Sequence, residues 1–417
     1  MDVDPDSEET GGPTGRRVSR VIKDKICVAV AAVNLGIRSP VRRSAAKVKK
    51  TLAASDAADN DRFGWTVAMS ASGSIVVVGA PDVDELGVST GKVYVYSGAD
   101  WGTETPIFAS VPVVADHFGG DVGISADGSV IVVGNRSEAS GISHAWVYSG
   151  SNWGTETVLT ASDDEGPVNR FGRSVSVSAD GSVVAVRCNG LSTGGKVYVY
   201  SGSDWATETV ILPSDEHALA NFGSSVSVSS DGSIIAVGAE QQFTPLVSTG
   251  KAYVYSGASW GTETALLPAG LVSSSYFGAS VEISDDGSVV IVGAYQQSED
   301  GHVGRAYVFS GANWATVTVL DAADVGDGGG SDFGNAVDIS GNGLVAVVAH
   351  IGYDGDSGNA YAFRGPNWST RKRLLPADLQ ANDRYGRSVA LSLNGSFVGI
   401  GASEKNDSRG KVYLWKI

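Results

Sequence analysis

Asn221 to Ala269 reads NFGSSVSVSSDGSIIAVGAEQQFTPLVSTGKAYVYSGASWGTETALLPA, and its plan recurs along nearly the whole chain. The opening aromatic-Gly pair appears as Phe63-Gly64, Phe118-Gly119, Phe171-Gly172, Phe222-Gly223, Phe277-Gly278, Phe333-Gly334 and Tyr385-Gly386, seven copies about 50 to 55 residues apart. A fixed period of that length means a propeller or a solenoid. Within one copy, Ser225 to Val228 and Ala252 to Tyr255 alternate small or polar with apolar residues, the period of half-buried strands. Asp231-Gly232 joins the first run to Ile234–Val237 as a tight hairpin, and Ser256-Gly257 joins the third run to a fourth over Thr262–Leu267. Each copy therefore predicts a four-stranded antiparallel meander. Such a sheet cannot bury two apolar faces alone, so the expected fold is all-β, a seven-bladed β-propeller whose blades stack around an axis.

The seventh copy ends at Lys411–Ile417, its third strand, and lacks an outer one. Ahead of the first copy, Lys49 to Ser55 (KKTLAAS) matches Glu156 to Ser162 (ETVLTAS) in spacing and in distance to the next Phe-Gly. The N-terminal strand is expected to pair beside residues 411–417, covering an edge of unpaired backbone groups. The domain division is then 1–45 and 46–417.

The 417 residues carry a formal charge of -16, unevenly placed. Residues 1–50 hold 11 Lys/Arg against 6 Asp/Glu, so the remainder carries about -21. That charge repels phosphates and disfavours nucleic acid as a partner. Cys27 and Cys188 lie in different regions, which excludes a disulfide framework or a CxxC metal pair. Met1–Gly15 is acidic and rich in Gly, Pro and Ser, a composition that does not order itself. Basic residues from Arg16 to Lys25 precede the apolar run Ile26–Ile37, too short to span a bilayer with ease. The pair resembles a secretory signal, with an organellar transit peptide or a flexible arm as alternatives. Secretion or cell-surface display is favoured, and membrane association requires that this run stay as an uncleaved anchor. Asn135, Asn367, Asn394 and Asn406 each open an Asn-x-Ser triplet that secretion would expose to glycosylation.

The order Phe-Gly, Val-Gly-Ala, Gly-Lys-Val-Tyr-Val-Tyr-Ser-Gly and Trp followed by Leu-x-Ala-Ser resembles the FG-GAP repeats of the integrin α-subunit head and of microbial and protist surface proteins. The resemblance spans residues 47–417, and Gly79-Ala80-Pro81 supplies the GAP triplet itself. It implies a propeller closed by an N-terminal outer strand, and calcium in the hairpin between strands one and two. Here that hairpin reads Ser229-Ser230-Asp231-Gly232, with one carboxylate where three are wanted, so no cofactor is expected. The nearest remnant of a calcium loop is Asp338, Ser340 and Asn342.

Function is expected in the loops that vary between copies. Connections from strand two to three, and those leading into each Phe-Gly, share one rim of a meander propeller. By count that rim carries roughly two dozen of the 46 acidic residues against about six Lys/Arg, a one-sided field. The expected activity is non-catalytic binding of a protein partner, a basic one, through Asp82, Asp84, Glu85, Phe243, Tyr295, Asp354 and Asp356. The charges steer and the aromatics anchor. A lectin is the alternative, since Trp101, Trp153, Trp205, Trp260, Trp314 and Trp368 form a repeated series at the opposite rim that could stack a glycan; packing or clamping within the repeat is the simpler reading. A propeller lyase or hydrolase is disfavoured, because the five His are scattered and Asp163-Asp164 reads as loop charge.

Overall fold

The computed structural model describes residues 47–417 apart from 85–88, 112–114, 137–143, 164–169, 190–193, 216, 218, 245–246, 300–301 and 323–331, with backbone alone at 243–244, 247, 297–299 and 302–303. The acidic leader, the basic stretch, the apolar run and Cys27 lie outside the described residues. Residues 45–417 form one compact unit.

Seven groups of four antiparallel strands follow the seven sequence copies: sheets I (66–107), II (121–159), III (175–211), IV (222–266), V (277–320), VI (333–374) and VII (385–416 with 47–52). Sheet IV shows the plan. Phe222–Val228, Ile235–Ala239, Lys251–Ser256 and Thr262–Leu266 pair in that order, Val237 opposite Tyr253 and Val254 opposite Thr264. The second strand is buried at every residue, which accounts for its unbroken apolar run. The outer strand begins at an exposed Thr and ends at a buried Leu or Ile in most copies, and its polar residues blunt a free edge. A parallel bridge from Gly304 to Phe333 joins sheets V and VI into one hydrogen-bonded unit, and the same bridge recurs as Gly91 to Phe118, Gly250 to Phe277, Gly358 to Tyr385 and Gly410 to Phe63.

The hairpin between strands one and two closes on itself. Ser229 Oγ donates to Asp231 Oδ1 at 2.9 Å, Ser233 N donates to the same oxygen at 3.0 Å, and Ile234 N donates to Ser229 Oγ at 3.0 Å. Gly232 takes the φ of 71° that the turn demands. The second hairpin is pinned to the first by tryptophan: Trp205 Nε1 donates to Gly181 O at 3.0 Å and Trp260 Nε1 to Gly232 O at 2.9 Å. All six repeated tryptophans make this bond within their own sheet.

Sheets meet face to face. The Phe of each Phe-Gly pair is fully buried, and Phe222 packs edge-on to Tyr253 and Tyr255. Glycine permits the closest approach in most sheets: a Cβ on Gly238 would lie 1.9 Å from Gly278 O in the next sheet, and one on Gly401 would lie 2.0 Å from Gly64 O, while Arg187 and Ala349 hold that position in sheets III and VI. The first strands of successive sheets are neighbours from I to VII, and that of VII also neighbours that of I.

Lys47–Leu52 pairs antiparallel with the C-terminal strand, Lys47 opposite Lys416 and Leu52 opposite Val412, with an irregularity between Val48 and Lys50. The strand starts two residues earlier and ends three earlier than the Lys49–Ser55 stretch that suggested it. Ala53–Ser55 instead begins the crossing to sheet I, where Ser55 Oγ donates to Glu104 Oε1 at 2.6 Å.

Candidate functional site

Most carboxylates repeated between copies are spent on the fold. In four places the Ser that follows an outer strand is gripped by a Glu of the next sheet's outer strand, as Ser110 by Glu156 and Ser214 by Glu263. The Asp beside it accepts from the Lys and Tyr that open the next third strand: Asp56 from Lys92 (2.6 Å) and Tyr94 (2.8 Å), and Asp215 from Lys251 and from Tyr253 at 2.7 Å. Partial burial pushes the Asp215 carboxyl up, but the bonds from Lys251 and Tyr253 outweigh it and hold it below the usual range. Asp163, the first member of the acidic couple, has the same two partners in Lys196 and Tyr198. The six repeated tryptophans are likewise committed, each indole N–H being bound to a turn carbonyl. Asn135 is 1 % exposed and donates to Asp116 at 2.6 Å, so its triplet offers no glycan site in the folded chain.

The seven candidate contacts divide. Asp82 is not offered to solvent: it accepts from Arg62 at 2.9 Å and meets His117 Nδ1 at 2.7 Å, with Arg136 at 3.7 Å. Burial raises its pKa, and His117, Arg136 and Arg62 more than offset that, leaving it below the usual carboxylate range. It ties sheet I to the loops of its neighbours. Asp84 is exposed. Glu85 lies outside the described residues. Phe243 sits in a two-residue strand paired with Val247–Ser248, and its side chain is outside the description. Tyr295 is half-buried and stacks on Tyr276 with ring centres 5.1 Å apart. Asp354 and Asp356 are exposed on the short turn Tyr353–Asp356, where Asp354 and Asp356 adopt φ of 48° and 60°.

A channel of about 420 Å³ runs between the first strands of all seven sheets. An inner edge strand exposes unpaired N–H groups, and side chains of the preceding sheet satisfy them. Val226 N donates to Ser174 Oγ at 3.2 Å, Ile283 N to Ser227 Oγ at 3.1 Å, and Val175 N to Asp121 Oδ2 at 2.9 Å. Asp338 serves in the same way, accepting from Leu391 N at 2.5 Å and from Ile339 N at 2.6 Å. Its carboxylate is thus turned to sheet VII, while Ser340 Oγ donates to Asn342 Oδ1 at 2.8 Å to close an ordinary hairpin. Asp338, Ser340 and Asn342 do not converge on one point, and among the described residues no group of three His, Cys, Asp or Glu could hold a metal ion. Enclosure in the channel pushes Asp121 up to about 6 and Glu282 up to about 7; for Asp338, burial and then the charge of Glu282 raise it well above the ordinary value.

Sequence reasoning missed the arginines at one mouth of this channel. Arg170, Arg173, Arg384 and Arg387 flank the aromatic-Gly pairs of sheets III and VII, and with Arg187 they line a second cavity of about 550 Å³. Tyr295 and Asp356 line it too, so this mouth lies at the loop rim. Counting rim charges as a whole hid them. The available signal was the pair Arg-Phe-Gly-Arg and Arg-Tyr-Gly-Arg, which recurs in two copies alone.

The FG-GAP repeat family matches residues 47–96, 205–255, 260–309 and 368–415. The first match begins at the N-terminal strand that pairs with residues 412–416, and the second and third begin at a tryptophan before an outer strand. The family's unit thus runs from one outer strand through three strands of the next sheet. No curated protein matches the chain. No helix among the described residues is long and apolar enough to cross a membrane.

Proposed function

We propose that this FG-GAP repeat protein is a seven-bladed propeller, closed where Lys47–Leu52 joins sheet VII, and that it works as a non-catalytic module binding a protein partner outside the cell or at its surface. FG-GAP repeats of this kind build interaction modules and are generally non-enzymatic. Support for closure comes from the contact between the first strands of sheets VII and I and from the fit of Gly401 against Gly64. The observation that carries the binding reading is the contrast between the repeated carboxylates, which are bonded within the fold, and the unrepeated Asp84, Asp354 and Asp356, which are exposed on loops at one rim. Residues that vary on a rigid repeated frame serve something other than the frame. A basic patch on the partner would be steered to these acids, with Tyr295 at the inner border of the same surface.

Partner capture from the native source, with the purified chain at low and high salt followed by cross-link mapping, tests this. The expected result is one stoichiometric protein, released by salt and cross-linked near Asp84 or residues 353–356. Retention of glycans alone, or cross-links confined to the tryptophan rim, would refute it.

A further inference from the structure

The residue before each aromatic-Gly pair has a positive φ in all seven copies, from 47° at Arg170 to 91° at Asp332. That left-handed turn is uncommon for residues with a Cβ, and Arg170, Asn221, Asp332 and Arg384, which adopt it, line the cavity at the channel mouth together with residues two places beyond the aromatic. In sheets III and VII both positions are arginine: Arg170 with Arg173, and Arg384 with Arg387. A fifth arginine breaks the repeat outright. Arg187 stands where Gly238 stands in sheet IV, at the closest contact between sheets, and its Cγ lies where a Cβ on Gly223 would come within 2.9 Å. It is 4 % exposed.

Five of the twelve arginines after residue 50 therefore meet in one cavity of about 550 Å³, although that part of the chain carries about -21. The carboxylates lining the same cavity are Glu240, Asp332 and Asp356, so five guanidinium groups face three acids and leave an excess of two positive charges. Glu240 is engaged by Asn221 Nδ2 at 2.5 Å, and Asn221 Oδ1 in turn accepts from Arg187 Nη2. The Nε atoms of Arg170, Arg187 and Arg387 are buried with no hydrogen-bond partner. Arg387 lies over the Trp65 ring at 3.7 Å, beside Arg136 at 4.2 Å. Burial, then neighbouring cations, pull both Arg187 and Arg387 down to about 10. Unpartnered buried N–H groups and crowded like charges both cost stability, and one anion of the right shape relieves both.

We propose that this mouth is a binding site for a dianionic oxyanion, free phosphate or sulfate or a phosphate monoester, held by Arg187, Arg384 and Arg387 with Arg170 and Arg173 around them. The lining cations are all arginine, whose planar fork matches tetrahedral oxyanions in pairs of bonds. The excess of two charges matches a dianion, and the volume admits a small ester as well as the free ion. The site adjoins the protein-partner surface, sharing Tyr295 and Asp356 with it, but the anion it binds is tested without any protein partner.

Titration calorimetry of the full chain with inorganic phosphate, sulfate and glycerol phosphate, in chloride of matched ionic strength, tests the site. One saturable site is expected; glycerol phosphate binding as tightly as phosphate would identify an ester ligand, and exclusion of the ester would identify the free ion. Arg384→Gln, at an exposed position, and Arg187→Gly, which restores the repeat's own residue, should each weaken binding about tenfold, whereas Arg373→Gln on an outer strand should not. Absence of saturable binding by all three anions overturns the proposal. So does equal weakening by Arg373→Gln, which would mean that general charge and not this cavity attracts the anion.

Discussion

Glu282 illustrates what one residue does in this fold. It projects from the first strand of sheet V into the channel, accepts from Ser227 Oγ at 2.6 Å, and has its pKa pushed up to about 7 by burial. A folded value above the unfolded one means that the native state favours the protonated form. Its stabilising contribution is complete below about pH 4.5 and is lost as pH rises through about 7. Asp121, raised to about 6, acts in the same direction over a slightly lower window. Glu282→Gln should therefore raise the melting temperature by a few degrees at pH 8 and leave it nearly unchanged at pH 4.5. A gain of equal size at both values would show that titration is not the cause. At this scale the sequence was least legible. Asp82 reads as loop charge until Arg62 and His117, 20 and 35 positions away along the chain, are seen to close on it. The Asp of the Ser-x-Asp-Gly hairpin was placed by its spacing, but its partners, two serines and a backbone N–H, follow from the turn and not from the family's calcium loop.

At the scale of elements the reading succeeds because the period is two and the copies check each other. Sheet IV is paired as its alternating runs and its Asp-Gly turn require. The tryptophan is the part that sequence left open. It could have faced solvent for a ligand, and instead it spends its N–H on the first hairpin while its half-buried ring packs against the apolar cluster shared by sheets II and III. Such a bond links two turns that no backbone ladder joins. Trp205→Phe keeps most of the buried ring area and removes the donor, so the expected loss is about 1 kcal/mol of unfolding free energy, measured by denaturant titration. A neutral outcome would mean that the clamp is incidental; a loss of several kcal/mol would mean that ring packing, not the hydrogen bond, holds the hairpins.

For the whole molecule, order and ends were legible while charge placement was not. Seven copies with a missing last strand point to a borrowed one, and the match of Lys49–Ser55 to Glu156–Ser162 identifies the donor because the same Ser-Glu clamp recurs after it. The arginine mouth escaped because it assembles from positions more than 200 residues apart in the chain, Arg170 and Arg384, which only the shared Arg-aromatic-Gly-Arg pattern connects. On this account the fold is one ring whose ends hold each other without a covalent link. Stability is then shared among sheets, and removal of the N-terminal strand exposes an edge of sheet VII and frees the neighbouring seam. Thermal unfolding of three chains tests this most directly: the full protein, a form lacking residues 1–40 and a form lacking residues 1–55. The account predicts that the first two melt together and that the third melts well below them in a broadened transition. Equal melting temperatures for all three would contradict a ring closed by its N-terminal strand.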